Sequence, residues 1–216
     1  MLRLLLAAAV LLPACTAGTA EPPPADPAAE PAADLGVPLL SREAWGAAAP
    51  AFAMRPHTPE RLTIHHTATP QRPDLDPAEA MRALQAFSQR ADTLEDGRVR
   101  AGWADVPYHF YIAPDGTVVE ARDPAFEGDS NTGYDLAGHV QVAVEGNFEV
   151  ETPTAAQVES LLALARGLAA RYGIAAELVA GHLDHAPDQT VCPGAALHAR
   201  LGDVREAVRT ATASSR

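Results

Sequence analysis

Of the two cysteines in this 216-residue chain, Cys15 closes the tetrad Leu12-Pro13-Ala14-Cys15, which reads as a lipid-attachment site behind an apolar run. That leaves Cys192 without an intrachain disulfide partner. The run has the shape of an export signal, and in an oxidising compartment an idle thiol is a hazard, so Cys192 needs a chemical reason to be there. Its neighbours supply one. It ends a stretch that opens Gly181-His182-Leu183-Asp184-His185 and closes Cys192-Pro193-Gly194, and a second pair, His65-His66, lies far upstream. Two imidazoles and a thiolate are the donor set of an open zinc site, with the fourth position left for water. Bringing His182 and Cys192 together requires a loop that folds back on itself, for which Pro187 and Pro193-Gly194 are suited.

Residues 1–14 carry one positive charge, Arg3, then a run of Leu, Ala and Val as far as Leu12, followed by Pro13-Ala14. The run is too short to span a hydrocarbon layer of ~30 Å as a helix. It is expected to be a signal peptide whose last four residues resemble a bacterial lipoprotein signal, implying cleavage before Cys15 and lipid on its sulfur. Several acyl chains on one residue give stable anchoring. Residues 15–38 then form a tether: Pro, Ala, Asp and Glu, with too little apolar surface to offset chain entropy. Residues 39–216 suit one domain, and no internal repeat is visible.

With 16 basic and 28 acidic residues the formal charge is −12. Without a Lys/Arg cluster, such a chain does not suit nucleic acid, where neutralised phosphates supply most of the affinity. Direct adhesion to an anionic lipid surface is disfavoured too, so the lipid must do the anchoring.

Within the domain, Arg61-Leu62-Thr63-Ile64-His65 is a β-like run that delivers the histidine pair at its end. Asp76-Pro77-Ala78-Glu79 opens a helix by its cap, its proline and its first-turn carboxylate. Met81, Leu84 and Phe87 are spaced to give that helix its apolar stripe. Tyr108–Ile112 and Thr117–Glu120 flank Asp115-Gly116 as a hairpin, and Val140–Val144 alternates as another strand. Thr154 and Gln157 form a capping box for a long helix that buries Val158, Leu161, Leu162, Ala165 and Leu168 and stops at Gly173. A short strand near Leu178-Val179-Ala180 leads into His182, and a last helix is expected over residues 195–212. Interspersed strands and helices predict an α/β fold, a central mixed β-sheet flanked by helices.

Eight histidines occur, and arrangement separates them. Adjacent strand residues point to opposite faces, so at most one of His65 and His66 can serve an ion. His185, seven residues before Cys192, competes with His182 for the second ligand position. Asp184 is placed to accept an imidazole N–H. By alternation Tyr108 and Phe110 share one face of their strand and His109 and Tyr111 the other, which leaves open the face that meets the groove. Glu145, near a strand end, is either a general base or a solvated charge.

Five stretches together carry a family likeness: Ser41-Arg42-Glu43-Ala44-Trp45-Gly46-Ala47; Ile64-His65-His66-Thr67-Ala68; Val106-Pro107-Tyr108-His109-Phe110 with Asp115-Gly116-Thr117-Val118; Val144-Glu145-Gly146-Asn147-Phe148; and Gly181-His182 through Cys192-Pro193-Gly194. In this order they resemble the N-acetylmuramoyl-L-alanine amidases of the type-2 amidase superfamily, which includes phage amidases and animal peptidoglycan recognition proteins. The resemblance implies that His65, His182 and Cys192 bind Zn2+ at the floor of a surface groove and that His66 is not a ligand. Tyr108 matches the tyrosine that relatives place beside the metal, and Thr190 matches a position occupied there by lysine or threonine, so these two are the catalytic candidates. His66, His109 and Glu145 are the further candidates for the substrate groove. The segment 122–138, rich in Gly, Asp and Asn, reads as a rim loop.

The function so implied is zinc-dependent hydrolysis of the amide between N-acetylmuramic acid and L-alanine in peptidoglycan. The enzyme would be a monomer, lipid-anchored on the periplasmic side of the outer membrane. Two alternatives stand beside it: a non-catalytic peptidoglycan-binding module on the same fold, and zinc-dependent cleavage of another exported amide.

Overall fold

The computed structural model describes residues 35–94 and 97–214. The signal peptide, Cys15 and the tether as far as residue 34 lie outside the described residues. Among those described, no helix is long and apolar enough to cross a membrane.

The elements follow in the order β1 (Leu39–Leu40), α1 (Arg42–Trp45), β2 (Arg61–His66), α2 (Pro77–Ser88), β3 (Asp92–Thr93), β4 (Val99–Arg100), β5 (Phe110–Ile112), β6 (Val118–Glu120), β7 (His139–Val144), α3 (Ala155–Tyr172), a 3-10 turn (Ala176–Leu178), β8 (Val179–Gly181), α4 (His182–His185), α5 (Ala195–His198) and α6 (Leu201–Ser214). The described residues form a six-stranded sheet in the order β1-β6-β5-β7-β2-β8, and β3 and β4 make a separate two-stranded ribbon. Only β5 and β6 run antiparallel within the large sheet. The sheet is therefore mixed, with helices on its faces.

Strand periodicity sorts the side chains into two layers. On one face Leu62, Ile64, Phe110, Ile112, Val140, Val142 and Val144 pack with Leu161, Leu164 and Leu168 of α3 and Leu201, Val204 and Val208 of α6. Each fully buried leucine there contributes about 2 kcal/mol of apolar burial. On the other face Tyr111, Val119 and Ala143 pack with Trp45 of α1 and Ala80 and Met81 of α2. That cover reaches β6, β5 and β7. Along β2 and β7 the same face carries Thr63, His65, His139 and Gln141, all buried, and this polar stretch is the ground on which the site is built.

The caps are where local chemistry puts them. Asp76 accepts from the Glu79 amide at 3.1 Å, and Thr154 and Gln157 complete a reciprocal capping box. Gly173 ends α3 in the left-handed conformation.

Four expectations need correction. Phe87 is exposed on α2, where guanidinium groups of Arg90 and Arg100 lie over its ring. Its place is taken by Gln85, whose amide is fully used by the Ala48 backbone and Asp105. On α3 the buried stripe runs through Leu161, Leu164, Ala165 and Leu168, with Val158 and Leu162 only partly covered. The last helix is broken into α5 and α6, because the Arg200 amide bonds back only three residues, to Leu197. At the start of the domain, Leu35 is already buried in the helix-side core and Val37 packs against it, so the packed chain begins before residue 39.

Candidate metal centre

β2 and β8 run parallel with Ile64 opposite Gly181, so the next residues, His65 and His182, emerge side by side at the carboxyl ends of two neighbouring strands. Their rings lie 4.6 Å apart. The loop after α4 then returns: the Leu183 amide donates to the Cys192 carbonyl at 2.7 Å, and the His66 amide donates to Cys192 Sγ at 3.3 Å. Cys192 Sγ ends 3.6 Å from His65 Nδ1. One donor atom from each of His65, His182 and Cys192 lies within 4.8 Å of the others, and all three residues are buried. Of the two competitors for the second position, the structure brings His182 rather than His185 into this group.

The loop is seated by Gly194, at φ +84°, where an added Cβ would fall 2.5 Å from the Phe148 carbonyl carbon. The Thr190 hydroxyl accepts from the Cys192 amide at 3.1 Å, which shapes the turn and leaves its own proton to donate.

Burial sets the protonation of the group. It holds His65 well below the usual imidazole range, with His182 and other nearby histidines adding to the effect, and lowers His182 to about 4. It pushes the Cys192 thiol up to about 12, against the His66 amide that favours the thiolate. His65 Nε2 is buried with no hydrogen-bond partner among the described residues. Two neutral imidazoles and one thiol at this spacing fit a borderline-soft divalent ion such as zinc, and uptake must release the thiol proton.

The segment 122–138 reaches the cluster itself. Thr132 Oγ1 lies 2.6 Å from His182 Nε2 and Ser130 Oγ 3.3 Å from it, so two hydroxyls hold one nitrogen of this ring. Partners of this kind orient a ligand imidazole and tune its basicity. Tyr134 follows, with its ring 5.4 Å from His182, 5.2 Å from His139 and stacked at 5.6 Å on His185. Thr63 bridges the last two, at 2.7 Å from His139 Nδ1 and 3.3 Å from His185 Nε2. Sequence reasoning missed Ser130, Thr132 and Tyr134; the only signal was a run of polar residues with one tyrosine.

Tyr108 stands with its ring 5.2 Å from that of His65. It does not share a face with Phe110, contrary to simple alternation. The amides of Ala121 and Arg122 bond to the successive carbonyls of His109 and Tyr108, so the strand is irregular before Phe110. Phe110 enters the helix-side core, whereas Tyr108 packs beside the Trp45 cluster.

The three further groove candidates lie elsewhere. His66 points to the opposite face from His65, where its Nδ1 accepts from the Phe148 amide. His109 is fully buried, donating from Nε2 to the Phe126 carbonyl and accepting at Nδ1 from the Gln141 amide. Glu145 is neither solvated nor turned to the cluster: its carboxylate accepts from Tyr111 and from the amide and Nε of Arg72. The polar atoms of His109 and Glu145 are thus taken by the chain itself. Asp184 likewise accepts from the Gly181 amide and pairs with His198, not with a cluster histidine.

Comparison with known proteins gives the chain a family. The family model described as N-acetylmuramoyl-L-alanine amidase matches residues 55–195. The chain is 33% identical over 173 residues to the N-acetylmuramoyl-L-alanine amidase of Homo sapiens, a match covering 76% of this chain and 28% of that one. The chain thus spans little more than a quarter of that relative's length. Among solved structures, Drosophila peptidoglycan recognition protein SD aligns with a TM-score of 0.65 at 27% identity, over 76% of this chain and 92% of the other. The N-acetylmuramoyl-L-alanine amidase LysC of Clostridium intestinale aligns with a TM-score of 0.60 at 25% identity, over 80% and 98%. With a matching model over most of its length and a relative one-third identical, the chain belongs to the N-acetylmuramoyl-L-alanine amidase family.

Proposed function

We propose that this protein is a zinc-dependent N-acetylmuramoyl-L-alanine amidase that cleaves the bond between N-acetylmuramic acid and the first alanine of the stem peptide. The observation that carries the reading is the convergence of His65, His182 and Cys192, with donor atoms within 4.8 Å of one another, beside the ring of Tyr108. The chemistry that a zinc ion supplies at such a donor set is polarisation of a carbonyl and activation of water near neutral pH.

The remaining work falls to the chain. Burial raises the Tyr108 hydroxyl, chiefly by desolvation and further by the nearby Cys192, so it stays a protonated donor. It is placed to hydrogen-bond the carbonyl oxygen as negative charge develops there. The Thr190 hydroxyl, whose oxygen is held by the Cys192 amide, has its proton free for the same purpose. Thr132 and Ser130 keep the His182 ring in one orientation, so its lone pair need not be reoriented for binding.

Lipidation at Cys15 and the Pro/Ala-rich tether that follows it would hold this enzyme at the periplasmic side of the outer membrane as a monomer beside its polymer. The likeness to a recognition protein favours a second reading, binding without cleavage.

One assay separates the two. Purified zinc-loaded protein is incubated with peptidoglycan and free stem peptide is followed by mass spectrometry, with a chelator arm. Cys192→Ala should lose metal and activity together, and Tyr108→Phe should keep metal while losing ~10²–10³ in rate. Retention of muropeptide with no stem peptide released sinks the hydrolase reading, and release undiminished by the chelator sinks the metal assignment.

A further inference from the structure

The segment that carries Ser130 and Thr132 to His182 places a second tyrosine at the cluster. Tyr134 packs its ring among His139, His182 and His185, yet its hydroxyl is buried with no hydrogen-bond partner among the described residues. Buried phenol hydroxyls are bonded in most folded proteins, and one left alone calls for an explanation. Packing alone would be served by phenylalanine, which fills the same space without an orphaned oxygen.

Tyr108 lies ring to ring with His65 at 5.2 Å and Tyr134 with His182 at 5.4 Å, so each phenol packs on one of the two candidate ligand imidazoles. Desolvation raises Tyr134 as it raises Tyr108, and the group remains an O–H donor across the working pH range. The other titratable groups against it are His139, His182 and His185. His182 Nε2 is already held by Thr132 and Ser130, and the ring nitrogens His139 Nδ1 and His185 Nε2 are engaged by Thr63.

We propose that Tyr134 is a second substrate-contacting hydroxyl of this centre, donating a hydrogen bond to the scissile carbonyl oxygen alongside Tyr108. This rests on the amidase reading above. The phenol proton stays on Tyr134 throughout; what changes is the charge on the oxygen that accepts its hydrogen bond. Two donors from different segments, one before β5 and one on the 122–138 loop, would then converge on the developing oxyanion.

Tyr134→Phe tests this directly, because it keeps the ring and its histidine contacts and deletes one oxygen. Zinc content, thermal midpoint, kcat and KM on a purified muropeptide are measured for the full-length variant and its parent. The expected result is unchanged zinc, a midpoint equal to or above the parent's, KM within about twofold, and kcat lower by ~10²-fold. Equal kcat in variant and parent overturns the proposal alone, as does a loss of activity that tracks a loss of zinc. A parent that binds muropeptide without turnover overturns the amidase reading and this proposal with it.

Discussion

The fold should lose stability in acid, and His109 gives a place to measure by how much. Its ring is enclosed between the Phe126 carbonyl and the Gln141 amide, and that amide already fills the nitrogen that would take a second proton. Burial is the main cause that lowers this histidine to about 3, and neighbouring Arg122 adds to it. The unfolded chain titrates near ~6.5. Between these values the unfolded state holds a proton that the folded state does not, so the stabilisation is complete above ~6.5 and is lost as pH falls towards 3. At pH 5 the group is ~1.5 pH units into that window, and at ~1.4 kcal/mol per unit His109 alone removes about 2 kcal/mol. That is a sizeable part of the ~5–15 kcal/mol expected of a domain. His139, also lowered to about 3, acts in the same direction.

Urea unfolding at a series of pH values between 7.5 and 5 reads the slope. A His109→Gln variant, whose amide can donate to Phe126 and accept from Gln141, supplies the control without a titrating group. The two lines should diverge below ~6.5 by about 1.4 kcal/mol per pH unit, the parent falling faster. Contributions of metal uptake and of the other histidines cancel in the difference. Parallel lines, or a His109 ring that titrates near its ordinary value in the folded protein by NMR, would refute the assignment of a dry, fully bonded imidazole.

Two further outcomes follow from the metal loop and its support. Thr132→Val removes the hydroxyl at 2.6 Å from His182 Nε2 and should weaken zinc binding ~10–100-fold in a chelator competition, with Ser130 keeping the loss towards the lower figure. An unchanged zinc affinity would mean that the hydroxyl does not orient the ring. Gly194→Ala puts a Cβ against the Phe148–Glu149 backbone at a φ of +84°, and should cost about 3 kcal/mol in urea unfolding while lowering zinc content, because Cys192 rides on the same turn. Parent-like stability would show that the turn can shift without strain.

How far this protein could be read from its letters depends on how far apart the interacting groups lie. Thr154 and Gln157 satisfy each other across three residues, and Asp76 reaches the Glu79 amide over the same distance, so both helix starts are visible in the sequence. The Asp115-Gly116 turn is equally local: Phe110 pairs with Glu120 across it as the hairpin pattern requires. The histidine pair also obeys a local rule, since β2 is regular there and sends His65 and His66 to opposite faces. Burial of polar residues follows no such rule. Gln85 outranks Phe87 for the inside of α2 only because Asp105 and the Ala48 backbone, 20 and 37 residues away, complete its hydrogen bonds. Glu145 is inside for the same reason, through Arg72 and Tyr111.

The candidate site divides along the same line. Its three metal-binding candidates stood out by residue type and family resemblance, but the groups that hold and flank them did not. Ser130, Thr132 and Tyr134 sit some fifty residues before His182, in a stretch whose composition reads as a loop. Nothing in their spacing tells which imidazole they will meet. It is the parallel pairing of β2 with β7 and with β8 that brings the start of β7, where this loop ends, and the end of β8, where His182 begins, onto one part of the sheet. The three candidate ligands therefore carry the chemistry that the resemblance implies, and the loop that meets them holds the His182 ring and packs Tyr134 beside it. A change of specificity or rate within the family should accordingly be sought first between residues 122 and 138.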